Sequence, residues 1–167
     1  IVEATSFVTG SEMSYQHIFP FFRYAEVLLN YAEALAAATQ NPDFTGMKGE
    51  VEYTLSPREA LNAVRARYNM PGITETDYAA FVKRLRNVRR VELAFEGHRF
   101  WDIRRWKIGA ETTKVYGLTI TPQNDGSFSY MRSVIQQRGW EDRMNFYPIA
   151  DAELFKNHNL VQNDGWK

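Results

Sequence analysis

Residues 21–38 form one unbroken stretch with six alanines and neither glycine nor proline, and this stretch dictates most of what the chain can become. Apolar side chains recur at Tyr24, Leu28, Tyr31 and Leu35, a spacing of three or four that a helix gathers into a stripe. Alanine has the strongest intrinsic helix preference, and small side chains let a neighbouring helix come close. A helix this long and thin calls for a partner. The next helical signal provides one: Ser56-Pro57-Arg58-Glu59 combines an N-cap serine, a proline in the first turn and a glutamate three residues after the cap. The second helix is predicted over residues 56–69, with Ala60, Ala63, Val64 and Arg67 along one face and Pro71-Gly72 beyond its end. Together the two make an αα-hairpin.

Between these helices, residues 39–55 form a connection longer than most, which marks it as a candidate functional loop; Phe44 and Tyr53 sit in it. A third helix is predicted over residues 76–96, starting at Thr76-Asp77 and carrying Phe81, Leu85, Val88, Glu92 and Phe95 on one face. Gly97 should end or bend it, and Phe100, Ile103 and Trp106 continue the helical spacing in a shorter or kinked segment. After Gly109 the pattern becomes extended. Val115, Leu118 and Ile120, a Pro122-Gln123-Asn124-Asp125-Gly126 turn and a second run over residues 128–136 read as a β-hairpin. A brief extended piece at residues 144–149, a helical turn at 151–155 and a polar tail complete the chain. At 167 residues without a low-complexity linker, a single, mainly α domain over residues 1–167 is expected.

Charge and composition remove several function classes. Twenty Lys and Arg balance twenty Asp and Glu, so no net field attracts nucleic acid or an anionic membrane surface. No window reaches the ~20 apolar residues of a membrane-spanning helix. Without cysteine there is no thiol nucleophile and no zinc site built on sulfur. His17, His98 and His158 form neither HxxxH nor HExxH, and no metal site is expected. Phosphate-cradling glycine loops and the GxSxG elbow are absent as well, so no cofactor is expected.

The densest chemistry lies in residues 86–106. Glu92 and Glu96 are four apart, which on one helix face would present two carboxylates to a glycosidic bond. A general acid needs a raised pKa, however, and Arg89, Arg90 and Arg99 lie close enough in sequence to hold both glutamates ionised. The favoured reading is therefore a structural ion-pair network of Arg89, Arg90, Glu92, Glu96, Arg99 and Asp102, with no catalytic residue. Aromatic residues make up 14% of the chain. Tyr24, Tyr31, Phe95 and Trp106 fall in apolar stripes, whereas Phe44, Tyr53, Tyr130 and Trp140 lie in or beside irregular segments and are the ligand-binding candidates. A ring can cover the C–H face of a sugar while a phenol or indole bonds its rim, although packing is the commoner role.

Taken in order, FRYAEVLLNYAEAL (residues 22–35), ALNAVRAR (60–67) and RRVELAFEGHRFWDIRRW (89–106) resemble consecutive signatures of the SusD/RagB family. MNFYPI (144–149) and NLVQNDGW (159–166) are similar to its closing motifs. Departures are small: Val88 replaces the usual Glu before the Arg pair, and Ala150, His158 and Asp164 stand where Pro is common. The resemblance implies TPR-like helix pairs of the SusD type with a β-hairpin and an irregular C-terminal segment. It also implies that the chain is the C-terminal portion of a longer SusD-like protein whose lipid-bearing cysteine and front part lie outside it. By the same resemblance, the whole protein is a cell-surface-exposed lipoprotein of a Gram-negative outer membrane, attached to it only through that lipid. It would be a non-catalytic glycan-binding subunit serving a SusC-like TonB-dependent transporter. The alternative within the same fold is a peptide- or protein-binding helical-repeat module. The recognised motifs are scaffold, and none carries over a ligand contact.

Overall fold

In a computed structural model, residues 21–166 are described. His17, one of the three histidines considered above as metal ligands, lies outside them. The chain is mainly helical and divides after Arg89 into two compact units.

The first unit is built on a helix pair. Helix α1 spans Tyr24–Thr39 and stops where Gln40 turns left-handed and its N–H bonds the Ala36 carbonyl. Helix α2, Pro57–Ala66, packs against it and buries Ala60, Leu61 and Val64. The buried face of α1 consists of Ala25, Leu28, Leu29, Ala32, Leu35 and Ala36. That face is rotated from the stripe read in the sequence, because Tyr24 is 75% exposed. The physical reason is the close approach that alanine permits. A phenol in the seam would hold the helices apart, so Ala25, Ala32 and Ala36 turn inward beside the leucines.

Local chemistry sets the start of α2. The Ser56 hydroxyl accepts the Glu59 N–H at 3.2 Å, and the Ser56 N–H donates to Glu59 Oε2 at 2.8 Å, a complete capping box. Arg58 forks onto Asp43 at 2.6 and 2.9 Å, tying the preceding loop to the helix. Hydrogen bonds from Ser56 hold the Glu59 carboxyl below the usual range, and the Arg58 hydrogen bond does the same for Asp43. Both groups bind protons less readily when folded. They therefore stabilise the fold above the ordinary carboxylate pKa of about 4, and that contribution is lost as pH falls through the lowered values. The denaturation midpoint should decline on acidification below about pH 4, and Glu59→Gln, which keeps the cap but cannot titrate, should shallow that decline. Equal slopes for the two proteins would refute the assignment.

Helix α2 ends three residues before the predicted limit, where Asn69 adopts a left-handed φ of 53°. The Ile73 N–H then bonds Asn62 Oδ1 at 2.7 Å, folding the connection back onto α2. Asp77 starts α3, Tyr78–Glu92, by accepting the Ala80 N–H at 2.8 Å. Two expectations fail at the other end. The helix stops at Glu92, and Phe95 and Gly97 take left-handed φ values of 65° and 81°. Phe95 is fully exposed instead of lying in the core stripe. Glu92 and Glu96 consequently do not share a helix face, and the carboxylate pair loses its geometric premise. On the first unit's part of α3, Phe81, Leu85 and Val88 are buried.

The second unit holds α4, His98–Arg105, which packs against a 3-10 turn at Asp142–Asn145. Another 3-10 turn, Gly109–Thr112, leads into the hairpin. The loop between α1 and α2 contributes β1, Gly46–Lys48, and β2, Val51–Tyr53, to the first unit, so the second unit's strands are β3, Lys114–Pro122, and β4, Phe128–Gln137. They are antiparallel, with a bulge between Val115 and Tyr116. Gly126, at φ 82°, makes the turn between them. The 3-10 turn occupies the start of the piece predicted as extended at residues 144–149, and α5, Asp151–Lys156, supplies the expected helical turn. The closing motifs hold each other in place. Gln162 bonds both the N–H and the carbonyl of Ile149 at 2.8 Å, and the Trp166 indole N–H reaches the carbonyls of Arg143 and Phe146 at 3.0 Å. Among the described residues, no helix is long and apolar enough to cross a membrane.

Candidate functional site

The long loop between α1 and α2 is ordered by the β1–β2 hairpin, in which Gly46 lies opposite Tyr53. That register sets the Phe44 and Tyr53 rings edge to face, 6.4 Å apart. Tyr31 of α1 joins them, its ring 6.2 Å from Tyr53 and its hydroxyl donating to the Leu55 carbonyl. Burial, with the nearby Tyr53 and Glu59, raises the Tyr31 pKa, so the phenol remains a protonated donor. Phe44, Tyr53 and Tyr31 are all half-buried, which leaves part of each ring open to a ligand. Such a cluster can stack on an apolar ring face and offers a phenol at its rim.

The other two aromatic candidates have different neighbours. Trp140 takes part in a cluster around Arg104, whose guanidinium lies 3.6 Å from the Phe100 ring centre and 5.4 Å from those of Trp140 and Tyr147. The Arg104 Nη1–H also donates to the Phe100 carbonyl at 2.9 Å. Trp140 therefore has a cation as a neighbour and is half-buried. The indole lies so close to Gly109 that a Cβ there would come 1.8 Å from its Cε2. Gly109→Ala should therefore expel Trp140 at a cost of about 2 kcal/mol. In protein labelled with 5-fluorotryptophan, one of the four indole resonances should shift strongly; an unchanged spectrum would contradict this packing. Tyr130, in contrast, lies in β4 opposite Ile120 and is exposed.

The arginine and glutamate cluster has these placements. Arg89 is 4% exposed and its Nη1–H donates to Asn30 Oδ1 at 2.6 Å. Asp102 is 3% exposed and accepts from Arg105 Nε at 2.9 Å. Arg90 and Asp102 are both near Arg99, whose pKa is lowered by burial and then by the Arg90 charge, with Asp102 opposing. Glu92 and Glu96 are half-buried. The sequence reading did not single out Arg105, Arg104 or Asp43. The Phe100–Arg104 spacing of one helical turn was a usable signal for the second; nothing local marked the Asp43–Arg58 pair, whose members are fifteen residues apart.

A profile of the SusD family matches residues 4–166. The SusD-like protein P2 of Formosa agariphila is 32% identical over 146 residues, covering 85% of this chain and 24% of that protein. The crystal structure of a SusD-like protein from Bacteroides fragilis matches with a TM-score of 0.65 and 34% identity, over 86% of this chain and 25% of that one. The chain thus spans about a quarter of the length of each of these relatives.

Proposed function

This chain belongs to the SusD family, and on that footing we propose that the full-length protein is a non-catalytic glycan-binding subunit of a nutrient importer. The observation that carries the reading is the family match, which runs over residues 4–166. The half-open rings of Phe44 and Tyr53, with Tyr31 beside them, are the contacts proposed for sugar. The separation of Glu92 from Glu96 by a helix end supports capture over cleavage, since acid and base work would need a positioned pair. Tyr130, exposed on β4, and the half-buried Trp140 near Arg104 are further proposed contacts, separate from the cluster of Phe44, Tyr53 and Tyr31.

Capture alone moves nothing across a bilayer, so import needs a channel, and the family reading points to a SusC-like TonB-dependent transporter. The proposed location is the outer face of a Gram-negative outer membrane, with a lipid anchor on an N-terminal part outside this chain. Tagged, lipidated full-length protein purified from outer membranes should bring down such a transporter, identified by mass spectrometry. Recovery alone, or with a soluble cytoplasmic protein, would instead favour a peptide- or protein-binding helical-repeat module.

A further inference from the structure

Phe44 and Tyr53 stand at the base of the β1–β2 hairpin, the first just before β1 and the second at the end of β2. Strands of three residues give that base little stiffness, since a two-stranded hairpin is marginal by itself in water. Helix α2 supplies the stiffness through one residue. The Arg58 N–H lies in the first turn, where the helix offers it no partner, and it donates to the Pro42 carbonyl at 2.9 Å. The side chain then donates from Nε to Asp43 Oδ1 at 2.6 Å and from Nη2 to Asp43 Oδ2 at 2.9 Å, a bidentate fork. The remaining guanidinium nitrogen, Nη1, donates to the Ile73 carbonyl at 3.3 Å and fixes the fork from behind. Arg58 thus grips both residues immediately before Phe44. On the other strand, the Tyr31 hydroxyl donates to the Leu55 carbonyl, two residues after Tyr53. All of these residues belong to the first unit.

We propose that Arg58 is a positioning residue for the sugar site: its fork on Asp43 sets the Phe44 ring edge to face against Tyr53, an assignment that rests on the reading of those rings as contacts. The pair is poorly suited to a purely stabilising role. The Asp43 side chain is 53% exposed, and an ion pair with so open a partner adds only modestly to global stability. What a planar, two-point attachment supplies is direction, which a lone ammonium would not. Stacking on a sugar requires direction, because the ring must present its face to the ligand. A loop that orders only when ligand arrives weakens the complex by the freedom it loses. With Phe44 already held by Asp43 and Arg58, that loss is avoided.

The test uses full-length protein carrying 3-fluorotyrosine at position 53 alone, with Asp43→Asn, Arg58→Gln and the two combined. The fluorine resonance should move in both single variants in the direction that Phe44→Leu moves it, and the double variant should match the singles. Dissociation constants for a polysaccharide that retards the wild type in affinity gels should rise about tenfold in each single variant and no further in the double. Thermal midpoints should stay within about 4 °C of the wild type. An unmoved resonance, binding losses that add in the double variant, or a loss of affinity that merely accompanies a larger fall in midpoint would overturn the proposal. The resonance needs no glycan. Should the wild type bind no polysaccharide, the sugar reading fails, while the resonance still decides whether Arg58 positions the ring.

Discussion

Replacing Phe81 with alanine should destabilise the first unit by about 4 kcal/mol, in the range for deleting a buried aromatic side chain. Phe81 is wholly inaccessible, the largest of the fully buried side chains among the described residues, and Leu29, Leu61 and Leu85 in the same unit are equally inaccessible. The cost has two parts, the lost transfer of a phenyl ring from water and the cavity that surrounding groups cannot close. Thermal unfolding of this unit should drop by roughly 20 °C. Phe81→Leu, which keeps most of the volume, should lose less than half as much. Equal effects of the two substitutions would show that ring packing is not the source of the stability.

Arg89 is the second large effect expected, at about 3 kcal/mol for Arg89→Ala. Its guanidinium is almost entirely shielded and bonds Asn30, joining α3 to α1 across 59 positions of sequence. Alanine would remove both the packed stem and a charge-assisted hydrogen bond. Arg89→Lys should not restore stability, because an ammonium lacks the planar fork and is harder to strip of water. Denaturation of the three proteins side by side checks this: full recovery by lysine, or a loss under 1 kcal/mol in the alanine variant, would exclude a structural role of this size.

What the sequence made legible was local, and what it concealed was long-range. Ser56-Pro57-Arg58-Glu59 carries its whole capping geometry within four residues, so the start of α2 was readable in full. The β3–β4 hairpin was readable for the same reason, through β-branched residues on either side of a glycine turn. Helix α1 contains two interleaved periodic faces, and only the approach of α2 decides that Ala25, Ala32 and Ala36 face inward and Tyr24 outward. Strands β1 and β2 are three residues each, too short to show a period of two. The end of α3 depends on a left-handed Phe95, a conformation no residue preference would assign to phenylalanine.

The site shows the same division. Phe44 and Tyr53 were singled out because they lie in a long loop, and the β1–β2 register then brings their rings together. Tyr31 was assigned to the core by its helical spacing, yet it completes that cluster from the neighbouring helix. Trp140 was singled out as a ligand candidate from its irregular segment, and its neighbours became visible only in the structure. Phe100, Arg104 and Tyr147 come from segments up to 47 positions apart, and no pattern in the sequence joins them.

The central claim is that the full-length protein captures glycan without cleaving it. Native electrophoresis through gels containing a panel of polysaccharides tests it most directly, because binding slows migration while cleavage does not hold the protein back. The account predicts marked retardation in at least one polysaccharide, relieved in the Phe44→Ala, Tyr53→Ala double variant. Unretarded migration of folded full-length protein through every gel of a broad panel would contradict it.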